Sequence, residues 1–413
     1  MTDAGAEAGA GAGAGSGAGA GPGGGPAAGA DEADFTPEQT ARARALRRAA
    51  VPVALGGRTA GLALSALLGF TGAGPWLTVR AGELLGGGRQ ARIVAGAVVL
   101  LLAGQLLGLP FAARGRVVRQ RFGLVTQGWA GWWVDVARGF ALSAVLGIAA
   151  AEGVYALAGW SERWWWLPAA GAAAVLAVVM SFLWPLLVEP LFNRFTPMPE
   201  GGLRGRLLEL AERQGVRVRD VLVADASRRT TALNAYVSGL GATRRIVVYD
   251  TLLATAAERD VELVVAHELG HVVHRDVTRG MLLGALGAAA AVCVVGPLAG
   301  VLAGPVAGPL AGDWTVSDPR SMALLMALAA LGGAVAGPVQ CAVSRRIERR
   351  ADVFALDATR DPEGFIAMQR ALTVANVAEP DPPRWLSVLF GTHPTPSQRV
   401  ALARGWARGG ARR

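Results

Sequence analysis

Six apolar stretches constrain this chain more than anything else in it. They lie at residues 51–70, 93–112, 140–158, 165–188, 281–311 and 322–343, and each is long enough to cross a bilayer as a helix. In hydrocarbon every backbone amide needs a partner within the protein, so such segments fold as helices packed into a bundle. The composition agrees, with 52% hydrophobic and only 17% charged residues and a mean hydropathy of +0.38. Arg58 in the first stretch, and the glycines and prolines of the fifth, blur those two boundaries. Trp160 with Trp164, Trp165 and Trp166 reads as an aromatic belt at the membrane surface.

The net charge of +9 is carried by arginine alone, since the chain has no lysine. Such basicity would suit a nucleic-acid partner if it were spread over a soluble surface. Here the arginines sit beside the apolar runs, so none is expected. Arg42, Arg44, Arg47 and Arg48 precede the first span, and 114–121 are Arg-rich after the second. A long Arg-rich stretch follows the fourth span and 345–350 follow the sixth. The alternate connections hold fewer: Arg80, Arg89 and Arg92, then Arg163, then Arg320. By the positive-inside rule both termini are cytoplasmic, as is the region between the fourth and fifth spans.

Residues 1–40 form a Gly/Ala-rich tail expected to be disordered, and nothing in it has the charged-then-apolar pattern of a signal peptide. The rest divides into a four-span membrane domain at 41–190, a catalytic region at 191–280, two further spans at 281–343, and a second catalytic region at 344–413.

The chemistry is concentrated in His267-Glu268-Leu269-Gly270-His271. Residues four apart share one face of a helix, so both imidazoles reach one metal ion. Glu268 lies one position round, where a carboxylate takes a proton from water. The chain has four histidines in all, and three of them, His267, His271 and His274, fall in this segment. A zinc site of this kind needs a third protein ligand from the same side of the membrane. The segment after the sixth span qualifies, and within it Glu348 is the candidate. Asp352, one helical turn later, would orient a ligand histidine. The alternative is that both acids only neutralise the arginines around them. Cys293 and Cys341 fall in apolar segments and suggest neither a disulfide nor a cysteine metal site.

These motifs, in this order, resemble those of the type I CAAX prenyl endopeptidases, the a-factor-converting integral-membrane zinc metalloproteases of gluzincin type. The resemblance runs from about Thr59 to Leu402. It is carried by Phe122-Gly123-Leu124, by Pro-Leu-Phe-Asn-Arg-Phe-Thr-Pro at 190–197, and by Asn234-Ala235-Tyr236 with the segment 245–253. The zinc helix, residues 344–352, and Thr392-His393-Pro394 followed by Arg399 complete the series. It implies one zinc ion per chain, held by His267, His271 and Glu348, with Glu268 as catalytic base and Asp352 behind the ligands. It implies that His393 and Arg399 stand near the scissile carbonyl, and that Asn234, Ala235 and Tyr236 belong to the strand along which substrate is laid. Read from its residues alone, a histidine before proline is more often a surface turn residue. A hairpin over 233–240 and 245–249 is expected in any case, and His274 is expected to be structural.

The fold class that follows is an all-α multi-pass membrane protein of about six transmembrane helices, with an inserted, cytoplasmic-side, α+β zincin-like metalloprotease domain. The family typically has seven spans. The one lacking here is the first, which leaves the catalytic side unchanged and leaves room for a partner helix, so the oligomeric state stays open. The expected partners are membrane lipid and a peptide or protein substrate, lipidated or not. Other readings are a bacterial membrane quality-control protease acting on non-prenylated substrates, which suits the Ala/Gly/Arg-rich composition, and a non-catalytic membrane scaffold stabilised by zinc. A structural zinc site needs no base, so Glu268 weighs against the scaffold.

Overall fold

A computed structural model describes residues 34–311 and 314–410. The expected disordered tail therefore lies almost wholly outside the described residues. The first helix, α1 (Pro37–Gly69), begins within the last few positions assigned to the tail, where Thr36 caps it in a reciprocal box with Gln39.

Among the described residues six helices are long and apolar enough to cross a membrane. They are α1, α3 (Arg89–Arg121), α4 (Trp129–Trp160), α5 (Trp166–Leu183) with its continuation, α10 (Asp276–Ala311) and α11 (Met322–Thr359). Each contains one of the six apolar stretches, to within one residue at the ends of the stretch. A short helix, α2 (Ala73–Glu83), links α1 to α3. Apolar side chains such as Leu106, Val145, Val175, Leu286 and Val335 are exposed on these helices, as suits segments surrounded by hydrocarbon. Small residues let the backbones close up. A Cβ on Gly296 would fall 2.4 Å from the Cβ of Trp166, and one on Gly69 would fall 2.3 Å from that of Ala327.

α5 ends in a π-helical turn over Trp184–Val188, followed by α6 (Glu189–Phe192), and there the chain leaves the bundle. It next builds a four-stranded sheet from β1 (Phe195–Pro197), β2 (Asp220–Ala224), β3 (Ala235–Ser238) and β4 (Arg245–Tyr249). The strand order is β1-β2-β4-β3. β2 and β4 run parallel, and β3 and β4 form the expected antiparallel hairpin with Ala235 opposite Val248. α7 (Gly202–Arg213) makes the crossover between β1 and β2, and α8 (Asp250–Thr255) follows β4.

The core of this domain gathers Leu207, Val221, Ile246 and Val248 with Leu263, Val265 and Leu269 from α9 (Glu258–Val273), all buried. Leu356 of α11 and Phe365 of α12 (Pro362–Ala375) complete it. α13 (Arg384–Leu389) and α14 (Pro396–Gly410) close the chain. The 38-residue α11, about 57 Å long at 1.5 Å per residue, belongs to both parts. Its first half lies in the bundle, and its last turns reach the domain core.

The described ends meet on the catalytic side. Asp34 forms ion pairs with Arg370 of α12 and Arg404 of α14, and Arg47 of α1 pairs with Glu379.

Candidate active site

α9 carries acids in its first turn, Glu258 and Asp260, where the helix dipole favours them. Its buried face holds it against the sheet. The same periodicity sets His267 and His271 one turn apart, with ring centroids 4.9 Å from each other. His267, Glu268 and His271 offer ligand atoms within 4.8 Å of one another.

The second half of α11 brings Glu348 to this pair. Its Oε2 is 3.2 Å from His267 Nε2 and its Oε1 is 3.5 Å from His271 Nε2. Glu348 is buried. Two imidazole nitrogens and a buried carboxylate converging on one point are a donor set for a divalent cation, so these residues fit a metal. Contact of α9 with α11 depends on Gly270, where an added Cβ would lie 3.0 Å from the Phe354 ring and 3.2 Å from Ala351 Cα.

Both histidines are braced from behind. His267 Nδ1 is 2.9 Å from Asp352 Oδ1, and Asp352 is fully buried. Arg399 of α14 donates to the same carboxylate, with Nε at 2.9 Å from Oδ2, and a further bond from Nη2 to Oδ1. On the other side His271 Nδ1 is 3.1 Å from Asp276 Oδ2, and Arg350 donates to Asp276 Oδ1. Neither Asp276 nor Arg350 is evident from motif spacing. The available signal was an acid five residues after the second histidine. His274 instead bonds through Nδ1 to the Gly270 carbonyl at 2.8 Å and packs on Phe354, a structural role.

The electrostatics follow from this packing. Burial alone would lower the pKa of His267, but the carboxylates of Asp352 and Glu348 hold it up at about 10. Burial raises that of Glu268, and the charges of His267 and His271 only partly offset it. A glutamate so raised is tuned toward accepting and returning a proton.

His393 stands at the mouth with its side chain half exposed and Nδ1 2.8 Å from Glu348 Oε2. The turn before it is gathered by Arg345 of α11. One Nη of that residue donates to the carbonyls of Ser387 and Gly391, each at 2.6 Å. The Arg399 guanidinium turns Nε and Nη2 to Asp352, and Nη2 also lies 3.3 Å from His267 Nδ1. Of the three substrate-strand candidates, Ala235 and Tyr236 lie in β3, the edge strand, and Asn234 precedes it. Tyr249 N–H donates to the Asn234 carbonyl at 3.0 Å, so the pairing alternation turns the amide and carbonyl of Ala235 and Val237 away from β4.

A family model of peptidase family M48 matches residues 197–407. The chain belongs to peptidase family M48. A second model, described as the CAAX prenyl protease N-terminal region with five membrane helices, matches residues 26–194. Within that stretch the described part of this M48 chain has α1, α3, α4 and α5 as candidate spans, plus the short α2. The M48 protein is 29% identical over 305 residues to an uncharacterized metalloprotease, YhfN, of Bacillus subtilis, covering 74% of this chain and 71% of that one. It is 32% identical over 205 residues to a CAAX prenyl protease 1 homolog of Oryza sativa, covering 48% of each chain. The crystal structure of S. mikatae Ste24p superposes with a TM-score of 0.78 at 20% identity, covering 90% of both chains, and shows that the fold is shared. This M48 protein is thus a multi-pass membrane metalloendopeptidase, and its family implies a metal.

Proposed function

We propose that the chain is a zinc endopeptidase whose ligands are His267, His271 and Glu348 and whose general base is Glu268. The observation that carries this reading is the convergence of His267 Nε2, His271 Nε2 and the buried Glu348 carboxylate beside a carboxyl whose pKa is raised. Zinc bound there supplies a Lewis acid that polarises a carbonyl and acidifies water. The remaining work falls to this chain's own side chains. Glu268 takes a proton from the attacking water and delivers it to the departing amine. His393, the exposed imidazole at the mouth, donates to the oxygen on which charge develops. Arg399 acts one step back, holding Asp352 against His267 Nδ1. Substrate lies extended along β3, bonded to the outward amides and carbonyls of Ala235 and Val237.

Both termini and this site are cytoplasmic in our reading. Supporting it are the arginine asymmetry of the connections and the ion pairs of Asp34 with Arg370 and Arg404. The substrate is a peptide or protein held at the membrane. The CAAX names of plant and yeast relatives make a lipidated peptide the first form to try. The test is cleavage by the detergent-solubilised protein of one peptide with and without a farnesylated cysteine, in the presence and absence of a chelator. Chelator-sensitive cleavage supports the proposal, and the farnesyl comparison assigns the substrate class. Cleavage indifferent to chelation would sink it.

A further inference from the structure

Each ligand histidine is backed by its own carboxylate, and each carboxylate by its own arginine. Residue 352 follows Glu348 by one helical turn, so its place behind His267 comes with the helix. Nothing so regular supplies Asp276. It lies only five residues after His271, and the α9 helix ends in between. The chain reaches it through Arg275, which sits in the left-handed region at φ 56°, a conformation that non-glycine residues seldom adopt. Arg275 N–H donates to the Val272 carbonyl at 3.0 Å and closes the turn. The turn folds the start of α10 back so that Asp276, 6% exposed, meets His271 Nδ1. Arg350 then reaches across from α11, two residues beyond Glu348, to hold the other carboxylate oxygen.

We propose that Asp276 and Arg350 are positioning residues for the metal site, the counterpart for His271 of what Asp352 and Arg399 are for His267. Asp276 accepts the Nδ1 proton of His271, which fixes the tautomer that leaves Nε2 free as a ligand. Arg350 holds the carboxylate in place. It also ties the α9–α10 turn to the helix that carries Glu348, so the three ligands hold their spacing from two directions. The inference rests on the zinc reading above. A merely structural aspartate would only start α10, which asparagine does equally well.

The test is zinc affinity by chelator competition, with the melting temperature of the metal-free protein measured alongside. Variants are Asp276→Asn, Asp276→Ala and Arg350→Gln, with Arg350→Lys as the conservative rescue and Asp352→Asn as the comparator. We expect about 10- to 100-fold weaker zinc binding in both Asp276 variants. Asn is expected to keep the metal-free melting temperature, Arg350→Gln to show a smaller loss, and Arg350→Lys to recover part of it. Unchanged affinity in Asp276→Asn and Asp276→Ala, with the wild type binding zinc and Asp352→Asn weakened, overturns this inference and leaves the zinc reading standing. A wild type that takes up no zinc overturns both.

Discussion

Asp352 stands between a metal-ligand histidine and a buried arginine, with Oδ1 2.9 Å from His267 Nδ1 and Oδ2 2.9 Å from Arg399 Nε. A fully buried carboxylate is tolerated only when both oxygens are occupied, and here the two partners come from different elements, α9 and α14. Removing Arg399 leaves that charge short of its main partner. Arg399→Ala is expected to lower stability by about 3 kcal/mol, to be read by chemical denaturation. It should also reduce zinc content, whereas a residue that only bound substrate would leave both unchanged.

The two carboxylates that raise the pKa of His267 to about 10 predict how metal binding responds to pH. A ligand imidazole must be neutral, so at neutral pH the site releases a proton as the metal enters. Zinc affinity should therefore rise about tenfold per pH unit between pH 6 and 8, measured by chelator competition at each pH. The stability of the metal-free protein responds in the opposite sense. With a raised folded pKa, protonated His267 contributes stability in acid that is lost as pH climbs toward 10.

Gly270 sets how closely the histidine-bearing helix approaches the helix of Glu348. A methyl there would have to displace both the Phe354 ring and the Ala351 backbone by a few tenths of an ångström, so Gly270→Ala is expected to cost about 1 kcal/mol. Gly270→Leu would drive three further carbons into the same contact and push the helices apart. Metal content should fall sharply in the leucine variant and little in the alanine variant, as assayed by elemental analysis of the purified proteins.

Val237 turns its amide away from β4, toward the edge where an extended peptide would lie. Val237→Pro deletes that donor without removing a bond of the β3–β4 ladder. KM should rise about tenfold with zinc content unchanged. An unaltered KM would place the substrate elsewhere.

Arg345 ties the turn ahead of His393 to α11 through the Ser387 and Gly391 carbonyls. Arg345→Ala is expected to release that turn and lower kcat about tenfold, in the range assigned to a single oxyanion donor or less. Metal affinity should be retained. Single-turnover kinetics separates this loss of His393 placement from a loss of substrate binding.

What could be read in the sequence was whatever depends on local pattern: length, hydropathy, helical period and turn residues. The six spans rest on length and hydropathy alone, and each falls inside a helix of the structure to within one residue at its ends. His267 with His271, and Glu348 with Asp352, are pairs four residues apart, and the helices bring them together as that spacing requires. The hairpin of β3 and β4 was legible because two apolar runs flank a Gly-Ala-Thr turn. What escaped depends on irregular backbone or on contacts between distant segments. Asp276 reaches His271 only through the left-handed Arg275, and arginine carries no mark of that conformation. The bonds of Arg399 to Asp352 are fixed by how α14 packs on α11, which spacing does not encode. The parallel pairing of β2 with β4 across an intervening strand is likewise a property of the assembled sheet.

Glu268 is proposed as a base beside a metal held by His267, His271 and Glu348. Comparing wild type with Glu268→Gln, with peptide cleavage and zinc content measured on the same preparations, tests this. One zinc per chain is expected in both proteins, with cleavage reduced by at least about a hundredfold in the variant. Cleavage by Glu268→Gln at the wild-type rate, with zinc still bound, would contradict it.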